Sequence, residues 1–302
     1  MPGDLNRAVQ RMPVPDVQRI VDRYLRSEAS APMVMMELVQ LTEDPEGLAC
    51  VLPTLAGDPA RLSELARHLA ENESGCRTIV SMIRQGLDSP ALARDAEEGI
   101  ERCRKLFDAS VAQSEESSVA LYSLGSPELL AAATEEVIGV LEAWGVLGGK
   151  RDALEIGCGI GRLMVPLCSR VRSVTGTDVS PGMISAAGRR LEGFSNASVS
   201  LTTGQDLAEF GSGSMDLIYS VDAFPYLVLC GPELLERHFR EVQRVLRPGG
   251  DLVLFNYAYG RSRDDANGEV LALARGAGLQ VTRADESPFR IWNGTGWLMK
   301  RA

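Results

Sequence analysis

The stretch Ala153-Leu154-Glu155-Ile156-Gly157-Cys158-Gly159-Ile160-Gly161 reads as a short apolar strand running into a turn with three glycines. A short amphipathic run follows, then Val174-Thr175-Gly176-Thr177-Asp178, a second strand ending in a carboxylate. Glycine lets the backbone turn sharply and lets a ligand approach without meeting a Cβ. A carboxylate closing the second strand suits a ribose, whose two adjacent hydroxyls are both good donors to one acid. Strand, glycine turn, helix and acid-tipped strand together belong to the nucleotide-binding crevice of an open α/β sheet.

The spacing separates two kinds of nucleotide. A dinucleotide fingerprint is G-x-G-x-x-G, its glycines set for a pyrophosphate at a helix N-terminus. Here the pattern is acidic-x-G-x-G-x-G, with Glu155 two residues ahead of Gly157. A carboxylate at that place repels a pyrophosphate but can orient a positively charged amino acid moiety. More motifs follow in order. Thr202-Thr203-Gly204-Gln205-Asp206-Leu207 comes after the strand-like Ala197 to Leu201. Ser214 to Ser220 reads as a fourth strand leading into Val221-Asp222-Ala223-Phe224-Pro225-Tyr226. Glu233 to Leu246 has a helical pattern, closed by Arg247-Pro248-Gly249-Gly250 and the strand Asp251 to Phe255.

In form and order these motifs resemble those of the class I S-adenosylmethionine (SAM) methyltransferases, over roughly Tyr122 to Ala302. The resemblance implies SAM as cofactor and a Rossmann-like α/β fold. That fold is a mostly parallel seven-stranded sheet with a C-terminal antiparallel hairpin, here preceded by an all-α N-terminal domain. It implies cofactor roles too: Glu155 near the methionine amino group, Gly157, Gly159 and Gly161 giving close backbone approach, and Cys158 as the small residue within that turn. Asp178 holds the ribose hydroxyls, and Asp206 accepts from the adenine amino group with Gln205 or Leu207 beside it. Met183 either packs on adenine or belongs to the core.

On the acceptor side, Asp222 closes the fourth strand. It is a candidate general base if burial raises its pKa; binding an acceptor ammonium, or accepting backbone amides, are the alternatives. Phe224 and Tyr226 are candidates for an aromatic wall, and Asn256, Tyr257 and Tyr259 follow strand five, where polar groups can orient a small acceptor. Tyr122 is the candidate from a segment laid over the cleft, or else packs at a domain seam. Asp222-Ala-Phe-Pro-Tyr matches the D/N-P-P-Y motif of amino-group methyltransferases only loosely, because one residue intervenes. His238 falls mid-helix, away from the strand ends, and reads as a surface or structural histidine.

Residues 1–111 look different. Apolar positions recur at three- and four-residue spacing, which predicts helices at Val14 to Ser27, Pro32 to Leu41, Pro45 to Leu55, Pro59 to Glu71, Gly75 to Leu87 and Pro90 to Phe107. Pro32, Pro45, Pro59 and Pro90 fall near helix starts, where a missing amide proton costs nothing. Asp44 and Asp58 read as N-caps. Met33, Met35 and Met36 read as core, with an adaptable pocket as the alternative. The polar Ala112 to Ser118 reads as the link into a second domain, 112–302, which opens with a helix at Pro127 to Trp144. There the pattern predicts strands at Ala153–Ile156, Val171–Thr177, Ala197–Thr202, Met215–Ser220, Asp251–Phe255, Leu279–Asp285 and Trp292–Lys300. Helices at Arg162–Ser169, Pro181–Leu191, Glu233–Leu246 and Asn267–Ala277 alternate with them, as a parallel sheet requires.

Composition sets outer bounds. At 302 residues there is room for one α/β domain and a smaller unit. A formal charge of −10 leaves no excess of Lys and Arg to neutralise phosphates, so nucleic acid is not an expected partner. No signal peptide or apolar run long enough to cross a bilayer is visible, and the expected address is the cytoplasm. Six scattered cysteines without a CxxC pair, and only two histidines, argue against a metal site. The expected function is methyl transfer from SAM to an oxygen or nitrogen of a small-molecule acceptor, with the N-terminal helices capping the cleft, shaping the acceptor pocket or forming a homodimer. The alternatives are a protein methyltransferase that docks its partner on those helices, and a non-catalytic SAM-binding regulatory protein.

Overall fold

The computed structural model describes residues 12–87 and 93–302. The chain divides into two compact units, one comprising Met1–Ser89, Ser110–Glu136 and Arg290–Asn293, the other Pro90–Ala109, Val137–Phe289 and Gly294–Ala302.

The first unit is helical. Its first five helices are α1 (Val14–Leu25), α2 (Ala31–Thr42), α3 (Pro45–Val51), α4 (Pro59–Glu71) and α5 (Glu73–Arg84). Three start alike: Pro32, Pro45 and Pro59 occupy first turns, behind Ser30, Asp44 and Asp58, whose side chains accept from the amides of Met33, Gly47 and Ala60. Such a cap replaces a missing intrahelical partner and is worth about 1 kcal/mol. The apolar faces meet in one core that includes Val17, Val21, Met35, Leu38, Leu48, Leu65 and Ile79. Met35 is fully buried and Met36 packs against the same cluster, so these methionines are core. Pro90, expected at a helix start, lies outside the described residues.

Next come α6 (Ala96–Gln113), α7 (Glu115–Val119) and α8 (Pro127–Ala143). The polar stretch 112–118 is therefore helical rather than an open link. The reason is local: the Ser114 side chain accepts from the Ser117 amide and caps α7, whose first turn carries Glu115 and Glu116.

The second unit is built on one seven-stranded sheet: β1 (Gly148–Ile156), β2 (Val171–Asp178), β3 (Ala197–Leu201), β4 (Met215–Val221), β5 (Leu246–Phe255), β6 (Leu279–Glu286) and β7 (Gly296–Arg301). Their order is β3-β2-β1-β4-β5-β7-β6. β1 to β5 pair in parallel, while β7 runs antiparallel between β5 and β6, so the Rossmann-like sheet with its C-terminal hairpin is present. The remaining helices are α9 (Met164–Leu167), α10 (Pro181–Arg190), α11 (Phe224–Cys230), α12 (Pro232–Val245) and α13 (Arg263–Gly276). Leu154, Ile156, Ile218, Phe239, Leu252, Leu254 and Trp297 share the core cluster on one sheet face.

Three boundaries differ from the pattern reading. The helix expected over Arg162–Ser169 is the single turn α9, because Pro166 has no amide to donate. Phe224–Cys230, a segment for which the pattern reading gives no element and only Phe224 and Tyr226 as wall candidates, is a helix of its own. The last strand starts at Gly296 rather than Trp292; the Trp292 ring instead stacks on Tyr122 of the helical unit at 5.8 Å.

The strand order reverses between β1 and its two neighbours β2 and β4, which creates a switch point at the carboxyl ends. At the opposite edge, carboxylates are paired with cations: Asp216 with Arg247 at 2.5 Å, and Asp251 with Arg151 at 2.6 Å and Lys300 at 2.9 Å. Asp152 is bridged by Arg172 and Arg247. No helix among the described residues is long and apolar enough to cross a membrane.

Candidate cofactor and acceptor site

At the switch point the backbone after β1 turns on three left-handed glycines, Gly157 (φ +72°), Gly159 (φ +52°) and Gly161 (φ +72°). The amides of Gly157 and Cys158 both donate to the Thr177 carbonyl, at 2.8 and 2.9 Å, which ties the turn to the end of β2. A Cβ on Gly157 would lie 2.4 Å from that of Ala223, and one on Gly161 would lie 3.1 Å from that of Ala187. The turn therefore presses close to the segment after β4 and to α10 at once.

Glu155 and Asp178 flank this turn. Glu155 sits opposite Tyr219 in the β1–β4 register, and the Tyr219 hydroxyl donates to its Oε2 at 2.9 Å. Burial pushes the Glu155 carboxyl up to about 8, the Tyr219 hydrogen bond and the nearby Arg162 guanidinium acting in the other direction. Asp178 receives the Gly159 amide on Oδ2 and the Ser180 amide on Oδ1, both at 2.9 Å. Burial raises it to about 6, with those backbone amides pulling it down. Two nearly buried carboxyls, 2% and 8% exposed, thus stand at the strand ends, held by the Tyr219 hydroxyl in one case and by backbone amides in the other.

A second cluster lies where β4 and β5 end. Asp222 and Asn256 each follow their strand by one residue and both adopt left-handed backbone, φ +63° and φ +62°. Such non-glycine conformations cost free energy and gather at functional sites. The Asn256 side-chain amide donates to Asp222 Oδ1 at 2.5 Å and the Tyr259 hydroxyl donates to the same oxygen at 2.6 Å. Burial lifts the Asp222 carboxyl to about 6 despite these two donors. Tyr226 meets Tyr259 edge-on at 6.0 Å and Phe107 of α6 at 4.8 Å, so three rings lead up to the carboxylate.

Residues 154–254 match a family model described as a methyltransferase domain. This part of the chain is similar to methyltransferase domains. The chain is 32% identical over 117 residues to a demethylmenaquinone methyltransferase of Tropheryma whipplei, covering 39% of this chain and 46% of that protein. It is 33% identical over 131 residues to a human thiol S-methyltransferase, covering 41% of this chain and 49% of that protein. The chain thus spans about half the length of these curated relatives. A solved phosphoethanolamine N-methyltransferase 1 of Haemonchus contortus superposes with a TM-score of 0.55 at 17% identity, over 68% of this chain and 49% of that one, a likeness of fold. The glycine turn and the carboxyls of Glu155 and Asp178 stand together at the strand ends of this domain.

The other expected residues scatter. Asp206 follows β3 half-buried, its carboxylate accepting from the Ala208 amide at 3.1 Å. Leu207 and Met183 are buried, at 2% and 1% exposure. Phe224 is in the core against Phe239, and Tyr257 is fully buried against Trp297. Neither ring joins the Asp222 cluster. Tyr122 belongs to the helical unit. His238 is buried, its Nδ1 2.9 Å from the Leu234 carbonyl, a structural histidine.

Sequence reasoning missed Tyr219, Phe107 and Asp108. Asp108 Oδ1 accepts from the Ser180 hydroxyl at 2.5 Å and the Gly182 amide at 2.9 Å, at the start of α10. Ile100 of α6 would lie 3.3 Å from a Cβ on Gly204, after β3. Residues of α6 therefore reach the loops after β2, β3 and β4 of the methyltransferase domain. Nothing local to 96–113 announces this; the contacts join positions about seventy or more residues apart.

Proposed function

We propose that the protein transfers the methyl group of SAM to an oxygen or nitrogen of a small-molecule acceptor. The observation that carries this reading is the Asp222 cluster: a half-buried carboxylate beside an aromatic wall, one oxygen committed to Asn256 and Tyr259 and the other taken by neither. Such a group can receive a proton from an O–H or N–H acceptor, and a pKa near 6 keeps it ionised at neutral pH.

In this reading Glu155 accepts from the cofactor's ammonium and Asp178 from its ribose hydroxyls. The glycine turn at 157–161 permits close backbone approach, and Asp206 marks the adenine edge, with Leu207 and Met183 as apolar neighbours. SAM supplies an electrophilic methyl group on a sulfonium, so no metal is needed for the displacement. The protein's contribution is alignment in a dry cleft, where positioning supplies roughly 7–11 kcal/mol in well-oriented cases. Asn256 and Tyr259 hold the Asp222 carboxylate in place, while Tyr226 and Phe107 flank the acceptor. The helical unit, with a core of its own, is assigned a part in acceptor selection or in pairing two copies of the chain.

Transfer of radiolabelled methyl from SAM to a panel of amines, phenols and thiols tests the proposal. One or more amines or phenols should accept label, with Asp222→Asn lowering kcat about 10²–10⁴-fold. Label appearing only on thiols, or on proteins of a peptide library, would overturn it.

A further inference from the structure

Two cysteines stand beside this site with no part in the chemistry above. Cys103 lies on α6 and Cys230 is the last residue of α11; both are buried, at 5% and 6% exposure. With Leu234 they form a small apolar cluster against which Ile100, Phe107 and Tyr226 pack. Gly99 precedes Cys103 by one helical turn and so shares its face. A Cβ on Gly99 would lie 2.5 Å from the Cys230 sulfur, so that sulfur rests directly on the face of α6 that carries Cys103. The two thiols also feel each other: the Cys103 thiol lowers the pKa of Cys230, while its own is raised by the same contact and by burial. Of the other cysteines, Cys76 is in the helical core, Cys158 in the glycine turn, Cys168 at the end of α9 and Cys50 exposed.

We propose that Cys103 and Cys230 are an oxidisable thiol pair whose disulfide fastens α6 to α11 at the rim of the crevice. Hydrogen peroxide is the oxidant, small enough to reach a buried sulfur during local opening. The Cys230 thiolate attacks one peroxide oxygen and becomes a sulfenic acid as hydroxide leaves and takes up a proton to form water. Cys103 sulfur then attacks the Cys230 sulfur; the sulfenic oxygen departs with the Cys103 proton as a second water. Two thiols and one peroxide thus give one disulfide and two waters.

The consequence follows from what α6 carries. Asp108 anchors the start of α10 just after Asp178, Ile100 faces Gly204, and Phe107 touches Tyr226. Cross-linking α6 to α11 hinders these residues from parting, so ligand exchange slows; this consequence, unlike the linkage itself, rests on the proposed cofactor site.

The test treats the full chain with a slight excess of hydrogen peroxide, alkylates the remaining thiols and maps peptides without reduction. A linked peptide joining residues 103 and 230, with two of the six thiols lost and restored by dithiothreitol, is expected. Cys103→Ser and Cys230→Ser should give no such link, their folding checked by circular dichroism and by the Cys103→Ala variant. Six surviving thiols, sulfinic acids at both positions, or links to other cysteines would overturn the pairing. In stopped flow, S-adenosylhomocysteine should dissociate several-fold more slowly from the oxidised wild type, and unchanged from peroxide-treated Cys103→Ser. An intact link with an unchanged rate would overturn the fastening. Failure of the reduced protein to bind S-adenosylhomocysteine would count against the cofactor reading and leave the linkage result standing.

Discussion

Glu155 shows most plainly how one side chain carries both function and cost. Its carboxyl is raised by burial from an ordinary 4.5 to about 8, so folding favours the protonated form. The resulting contribution is fully present below pH about 4.5 and is lost as pH rises through 8. Glu155→Gln removes that dependence; relative to wild type the variant should gain stability between those pH values, by an amount on the order of a few kcal/mol at the upper end. Denaturant titrations at pH 5 and pH 8 measure it, and parallel pH profiles would refute the assignment. A mostly protonated Glu155 at neutral pH has a second consequence. Capturing an ammonium favours the carboxylate, so SAM binding at pH 7 should release close to one proton. Calorimetry in two buffers of different ionisation enthalpy reads this directly. Tyr219→Phe should bring the release still closer to one proton, since the Tyr219 hydrogen bond that favours the Glu155 carboxylate is gone.

At the scale of elements, the site is a set of strand and helix ends. Ser180 caps α10 by accepting from the Met183 amide while its hydroxyl donates to Asp108. Ser180→Ala should destabilise the protein by about 1 kcal/mol or more through the lost cap. Gly157→Ala meets both a left-handed backbone and the Ala223 methyl at 2.4 Å, and should cost about 1–3 kcal/mol, read as a lowered Tm. The same ends explain what could be read from the chain alone. Glu155, the three glycines and Asp178 lie within one strand–turn–helix–strand unit whose local pattern identifies it. Asn256 and Tyr259, which the structure brings to Asp222, are legible because they follow a strand. Phe224 and Tyr257 follow strands too, yet their rings turn into the core: the rule locates a strand end but not which way a side chain points. Phe107 and Asp108 were invisible for another reason. They reach the site from a helix remote in sequence, and no periodicity encodes a tertiary contact.

For the whole molecule, the two units have separate apolar cores, one of helices and one around the sheet. A saturating cofactor should therefore stabilise the unit that holds its site, by about 2.7 kcal/mol at a hundredfold excess over Kd. In scanning calorimetry we expect one transition to move with S-adenosylhomocysteine and the other to stay; both moving equally would mean that the units unfold as one. The measurement that bears most directly on the central claim is calorimetric titration of the purified protein with SAM and S-adenosylhomocysteine, beside Asp178→Ala. The account predicts micromolar binding of both ligands by the wild type and a loss of tenfold or more, at least about 1.4 kcal/mol, in the variant. Undiminished binding by Asp178→Ala, or no binding by the wild type, would contradict it.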